Sequence, residues 1–141
     1  MTQPRALLAD AGPLFALVDP SDQYHERALQ ELAALTRDGW TVALVRTTLL
    51  EAQRLIVQNL GTRRAHAWLD ETSRSFAPIT PVADDYDQAI EVALHVADQD
   101  LTLFDTLLHV ISEQLAAPIW TFDHHFDILR ANRWQPCRLR R

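Results

Sequence analysis

Ala6-Leu7-Leu8-Ala9-Asp10-Ala11-Gly12-Pro13, near the start of this 141-residue chain, reads as a short, fully buried strand broken by Gly-Pro. Its one charged residue is Asp10. Burying an ionised carboxylate costs several kcal/mol unless it is paired or coordinates a metal. Working outward, three further acids stand alone in apolar runs. They are Glu51 in Thr47-Thr48-Leu49-Leu50-Glu51-Ala52, Asp105 in Leu101-Thr102-Leu103-Phe104-Asp105-Thr106-Leu107-Leu108, and Asp123 in Pro118-Ile119-Trp120-Thr121-Phe122-Asp123. Four such acids at the ends of successive predicted elements point to a shared divalent-cation site.

The elements themselves alternate. After the first strand, Ser21 or Asp22 caps a predicted helix to about Thr36, and Thr41–Thr47 is the next strand. Helices follow over Thr48–Leu60 and Thr62–Ser75, the latter with Ala65, Trp68 and Leu69 inward. Phe76–Val82 is a weaker strand, interrupted by Pro78 and Pro81. Asp84 caps a helix to about Ala97, Thr102–Ala116 is a strongly apolar helix, Pro118–Phe122 a buried strand and Pro136–Arg140 an edge strand. Strands alternating with helices imply right-handed crossovers and a parallel sheet covered on both faces. Sites in such sheets form at the carboxyl ends of the strands, and all four acids can converge on that edge. No repeat or linker divides the chain, so residues 1–141 are expected to form one domain.

The composition, 48% hydrophobic and 23% charged, is that of a globular protein. Asp10 and Pro13 break the apolar stretch after Arg5 too early for an export signal. No apolar run approaches the roughly 18 residues of a membrane helix, so a soluble protein is expected. A lone cysteine, Cys137, excludes an internal disulfide and a thiolate metal cluster, and fits a reducing cytoplasm. The net charge of −6 argues against a generic nucleic-acid binder. Yet residues 128–141 carry +5 through Arg130, Arg133, Arg138, Arg140 and Arg141, which leaves −11 on residues 1–127. This tail reads equally well as a solvated last strand or as a phosphate or partner contact.

Each acid has a structural alternative. Thr48-x-x-Glu51 has the form of a capping box, and Thr102-x-x-Asp105 nearly the same form. Asp123 suits the start of a turn. Asp10 interrupts a buried strand rather than opening a helix and has no such alternative. Taken together, the four are harder to dismiss. Two acids about 5 Å apart repel by roughly 3 kcal/mol at an effective dielectric near 20, and helix N-termini offset only about 0.3–1 kcal/mol each. Hard oxygen ligands without cysteine point to Mg²⁺ or Mn²⁺.

Other acid-based chemistries fail on absences. With no lysine anywhere, neither a receiver domain nor a P-loop is possible. A haloacid-dehalogenase-type phosphatase needs Asp where Gly12 stands, and no Gly-x-Ser-x-Gly is present. The adjacent His124 and His125, at a strand end, are expected to point apart, toward solvent or a second-layer hydrogen bond. His109 is expected in core packing and Asp127 as a helix cap. Trp40, Trp68, Trp120 and Trp134 read as core or interface residues rather than a base-stacking platform.

The order of motifs resembles the PIN-domain family, specifically the VapC-type toxins of toxin–antitoxin pairs. The resemblance runs from Ala6 to the last strand. It rests on Leu7-Leu8-Ala9-Asp10 followed by Leu14-Phe15-Ala16-Leu17, on Thr48-Leu49-Leu50-Glu51, on Asp100-Leu101-Thr102-Leu103-Phe104-Asp105, and on Thr121-Phe122-Asp123-His124-His125-Phe126. No piece is specific alone; all four in order are. One departure is Ala11, where the family often places Ser, Thr or Asn after the first acid.

The resemblance implies a three-layer α/β/α sandwich around a mainly parallel sheet of about five strands. It also implies a Mg²⁺- or Mn²⁺-dependent endoribonuclease, the toxin of a toxin–antitoxin pair, leaving 5′-phosphate and 3′-hydroxyl ends. By motif position Asp10, Asp105 and Asp123 would hold the first ion, and Glu51 a second ion or the attacking water. Thr102 and Thr121 would support them. Implied partners are an RNA substrate, a small antitoxin and a second copy in a homodimer, with no membrane and a cytoplasmic location. Tyr24–Leu35 and Ala65–Leu69 offer docking surfaces for such partners. Arg46, Arg54, Arg63 and Arg64 are candidates for phosphate contacts. A PIN nuclease of RNA processing and a non-catalytic interaction module remain alternatives.

Overall fold

The computed structural model describes residues 5–96 and 100–136. Its centre is the predicted first strand, β1 (Arg5–Ala9), flanked in parallel by β2 (Trp40–Ala43) and β3 (Ile119–Trp120) in the order β2-β1-β3. The helices are α1 (Ala11–Val18), α2 (His25–Arg37), α3 (Arg46–Leu60), α4 (Thr62–Ser75), α5 (Ala83–His95) and α6 (Leu103–Leu115).

The alternation of strand side chains builds the layers. Leu8, Val45 and Ile119 face one side, where Ala89 of α5 and Leu107, Leu108 and Ile111 of α6 close over them. Leu7, Ala9, Leu44 and Trp120 face the other, against Leu14 of α1, Leu35 of α2 and Ala52 of α3. The result is the expected three-layer α/β/α sandwich. Trp120 lies in the core, while Trp40, Trp68 and Trp134 pack half-buried against it.

Among the described residues the sheet has three strands, where about five were expected. The missing two survive as single parallel bridges, Val45 to Ile79 and Ile119 to Arg133. In a parallel ladder the donors toward one neighbour recur at every second residue. Ile79 N–H donates to the Leu44 carbonyl at 2.7 Å, and the next donor would be Pro81, which has none. Trp134 N–H donates to the Ile119 carbonyl at 2.8 Å, and the next would be Pro136. Arg133 Nη2 reaches the Thr121 carbonyl that Pro136 leaves unserved, at 3.4 Å. Apart from Pro136, the expected edge strand at 136–140 lies outside the described residues. The expected Pro118–Phe122 strand is likewise shorter, spanning two residues.

Helix starts differ from expectation in four places. α2 begins at His25, after Tyr24, and takes no side-chain cap from Ser21 or Asp22. Gly12-Pro13 does not break the chain; both lie in the first turn of α1, where proline's missing N–H costs no hydrogen bond. α3 begins at Arg46, so Thr48 sits buried inside the helix and forms no box with Glu51. At α5 it is Asp85, not Asp84, that accepts the Val82 N–H at 2.8 Å; Asp84 instead takes a hydrogen bond from Gln88. Among the described residues, no helix is long and apolar enough to cross a membrane.

Candidate active site

Two strand ends and two helix starts each contribute an acid to one cleft. Asp10 follows β1, Asp123 lies just past β3, Glu51 is in the second turn of α3, and Asp105 is in the first turn of α6. All four line one cleft of about 370 Å³, together with Gly12, Phe15, Asp22, Tyr24, Leu55, Asp100, Thr102 and Phe122. Six of these twelve residues are acids and none is basic. An anionic ligand therefore meets net repulsion unless a cation enters with it.

Asp10 is 7% exposed and fully engaged: Oδ1 accepts the Ala11 N–H at 2.8 Å and Oδ2 the Thr121 hydroxyl at 2.8 Å. It thus caps α1, the structural role that the sequence reading denied it. Thr121 Oγ1 also accepts the Asp123 N–H at 3.0 Å, so one hydroxyl ties the first acid to the last. Asp105 closes the predicted box with Thr102: Oδ2 accepts from the Thr102 N–H at 2.9 Å and from its hydroxyl at 3.1 Å. Capping and membership of the cleft coexist here. Glu51 makes no hydrogen bond or ion pair with the described residues.

The electrostatics register this crowding. Burial pushes Asp10 up to about 6, with Asp105 and Asp123 adding repulsion and the Thr121 hydroxyl opposing it. Glu51 is pushed up to about 8 by burial and by the charges of Asp10 and Asp105, opposed by Arg54. Asp105 is raised by burial against the Thr102 hydrogen bonds, with Asp123 contributing. Repulsion thus reaches Asp10 from Asp105 and Asp123, Glu51 from Asp10 and Asp105, and Asp105 from Asp123.

His124 and His125 do not extend a strand. They sit in a short 3-10 turn, His124–Asp127, with their rings stacked 4.5 Å apart at 26°. Imidazole lone pairs lie in the ring plane, and two nearly parallel planes have no nearby common point for an ion. Joint ligation by Asp123, His124 and His125, whose ligand atoms lie within 4.8 Å of one another, would require the rings to turn. His125 instead makes the second-layer hydrogen bond, Nδ1 to Asp123 Oδ1 at 2.6 Å, while Nε2 stands 3.4 Å from Asp100 Oδ2. His109 lies outside the cleft, and burial lowers its proton affinity. Asp127 is no cap; it pairs with Arg133 at 3.2 Å. Arg46 is tied to Thr80, and Arg54, Arg63 and Arg64 are exposed on α3 and α4.

Asp100 and Phe122 join the cleft beside the acids of their own motifs, whereas Asp22 and Tyr24 join it without a local signal of site function. Asp22 read as a helix cap, and its Oδ2 accepts the Tyr24 N–H at 2.9 Å. Only the tertiary path from α1 to α2 brings it to the acids.

No family model and no curated protein sequence matches the chain. Solved structures do. One is VapC20 of Mycobacterium tuberculosis, described as a sarcin–ricin loop cleaving toxin. It shares 19% identity at a TM-score of 0.79, over 92% of this chain and 99% of that one. FitAcB from Neisseria gonorrhoeae shares 20% identity at 0.67, over 94% of this chain and 99% of that one. VapBC2 from Rickettsia felis, bound to a promoter DNA fragment, shares 15% at 0.64, over 92% and 99%. The chain therefore has the fold of the VapC-like PIN domains.

Proposed function

We propose that this chain is a divalent-metal-dependent endoribonuclease and the toxin of a toxin–antitoxin pair. The observation that carries the reading is the meeting of Asp10, Glu51, Asp105 and Asp123 in one cleft, where burial and mutual repulsion raise the proton affinity of Asp10, Glu51 and Asp105. Such a cluster gains more from a cation than from structural packing. The donors are carboxylate oxygens, which suit Mg²⁺ or Mn²⁺. The structurally similar VapC20 is described as a sarcin–ricin loop cleaving toxin, in keeping with this activity.

Asp10, Asp105 and Asp123 would hold the ion, with Glu51 serving a second ion or the attacking water. When bound there, the cation supplies a more acidic water and positive charge opposite the phosphate. The chain's own work is positioning. Thr121 fixes Asp10 by its hydroxyl and receives the Asp123 N–H, and the Thr102 box fixes Asp105. Glu51, which makes no hydrogen bond among the described residues, can reorient toward a water placed in line with the scissile bond. RNA, a small antitoxin and a second copy are the partners this reading assigns, with a cytoplasmic location and a single domain.

The test is cleavage of total RNA by the purified protein with and without Mg²⁺ or Mn²⁺. Metal-dependent products that vanish in Asp10→Asn support the reading. Full activity in Asp10→Asn, or no binding of either ion by calorimetry near neutral pH, overturns it.

A further inference from the structure

The acidic cleft has an aromatic wall that catalysis by the carboxylates does not explain. Phe15, Tyr24 and Phe122 line the same cavity as the acids. Tyr24 is 36% exposed, and its ring lies 5.0 Å from that of Phe122 at a 30° tilt. Phe122 stands edge-on to the buried Trp120, with centroids 6.4 Å apart, so the wall is anchored in the core. Above it the Arg27 guanidinium lies 4.6 Å from the Phe122 centroid and 6.0 Å from that of Tyr24. Arg27 is half-exposed and holds Glu31 at 3.4 Å.

A ring left partly open beside six acids forgoes the burial that aromatic residues gain in a core. The ligand that would use it offers a flat π-face next to a negative charge. A nucleobase with its phosphate does both. The phosphate belongs with a cation at the carboxylates, the base with the ring, and Arg27 supplies the cation nearest to the wall. The cavity, about 370 Å³, sits at the small end of ligand sites and has the size for one nucleotide, whose base must leave its stack to lie against the ring.

We propose that Tyr24, braced by Phe122 and Arg27, stacks the base of one unpaired nucleotide whose phosphate lies at the acidic cluster. This rests on the ribonuclease reading above and adds the substrate class, an unpaired nucleotide held by its π-face. Tyr24 is a binding residue in this assignment; Phe122 and Arg27 are positioning residues.

The experiment uses a short single-stranded RNA containing a bond that the wild-type protein cleaves, with abasic sugars placed in turn on each side of that bond. Base–aromatic stacking predicts that Tyr24→Leu raises KM about tenfold at nearly unchanged kcat. One abasic position should cost the wild type about as much, yet cost Tyr24→Leu less than about twofold. Tyr24→Phe, which restores a ring, should recover most of the loss. Equal melting temperatures show that the variants are folded. If the two losses multiply independently, or Tyr24→Leu matches the wild type, the ring serves packing or a protein partner and the stacking assignment falls alone. If the wild type cleaves no RNA, the ribonuclease reading falls and takes this one with it.

Discussion

The Thr121 hydroxyl donates to Asp10 Oδ2 at 2.8 Å across 111 residues of chain, and the same oxygen accepts the Asp123 N–H at 3.0 Å. One buried side chain thus sets the spacing of two acids that arrive on different strands. Thr121→Val keeps the shape, removes both bonds and leaves the Asp123 N–H without its acceptor. Outer-layer partners of this kind typically contribute 10–100-fold to metal affinity or activity. We expect a loss in that range for Mn²⁺ affinity by calorimetry, together with about 1–3 kcal/mol of stability. Thr121→Ser should retain most of both.

Stability without metal should fall as pH rises. Asp10 at about 6 and Glu51 at about 8 bind protons more tightly in the folded chain than in the unfolded one. Between roughly pH 4 and pH 8 the folded state therefore holds the extra protons, and stability decreases with pH across that window. Thermal melts in EDTA should show a Tm several degrees higher at pH 5 than at pH 8. Glu51→Gln, which cannot ionise, should flatten the upper part of that slope. A Tm that rises from pH 5 to pH 8 would contradict the assignment.

Cation binding should expel protons. With Glu51 raised to about 8, much of it is protonated at pH 7 in the absence of an ion. Mn²⁺ titrations in two buffers of different ionisation enthalpy should show release of about one proton per ion at that pH. Glu51→Gln should reduce the release. Identical heats in both buffers would count against a site that includes Glu51.

Asp105 has two roles that one substitution can separate. Asp105→Asn keeps an oxygen to accept the Thr102 N–H but loses the charge. The helix start should survive, with Tm within about 3 °C of wild type. RNA cleavage should drop by about a thousandfold or more if Asp105 carries metal. A large fall in Tm with activity per folded molecule preserved would assign it to capping alone.

The layers and the element order were legible because alternation and helical periodicity are local. The acids were legible for the same reason, as charges in apolar runs. What local pattern could not give was the choice between two identical signals. Thr102-x-x-Asp105 closes a capping box, while Thr48-x-x-Glu51 does not. The bridge from Val45 to Ile79 sits directly ahead of Arg46, and α3 starts there, so Thr48 is already inside the helix. Asp10 hid its cap for a related reason, since Gly12-Pro13 reads as a break although a first helical turn tolerates both. Asp22 reaches the cleft only through the path from α1 to α2, and no local spacing announces that.

The prolines that cut short the outer strands also govern what can attach to this sheet. On the β2 side, Pro81 removes an inward donor and Pro78 one of the two outward ones, beside a Thr80 hydroxyl that already accepts from Arg46. On the β3 side, the last pairing among the described residues is that of Trp134, beside an arginine already engaged with Asp127. Short, proline-bearing margins of this kind resist edge-to-edge growth and the addition of a foreign strand. A protein that recognises this chain is thereby steered to its helical faces and its cleft, and the fold can expose an acidic centre without offering its sheet as a template for aggregation.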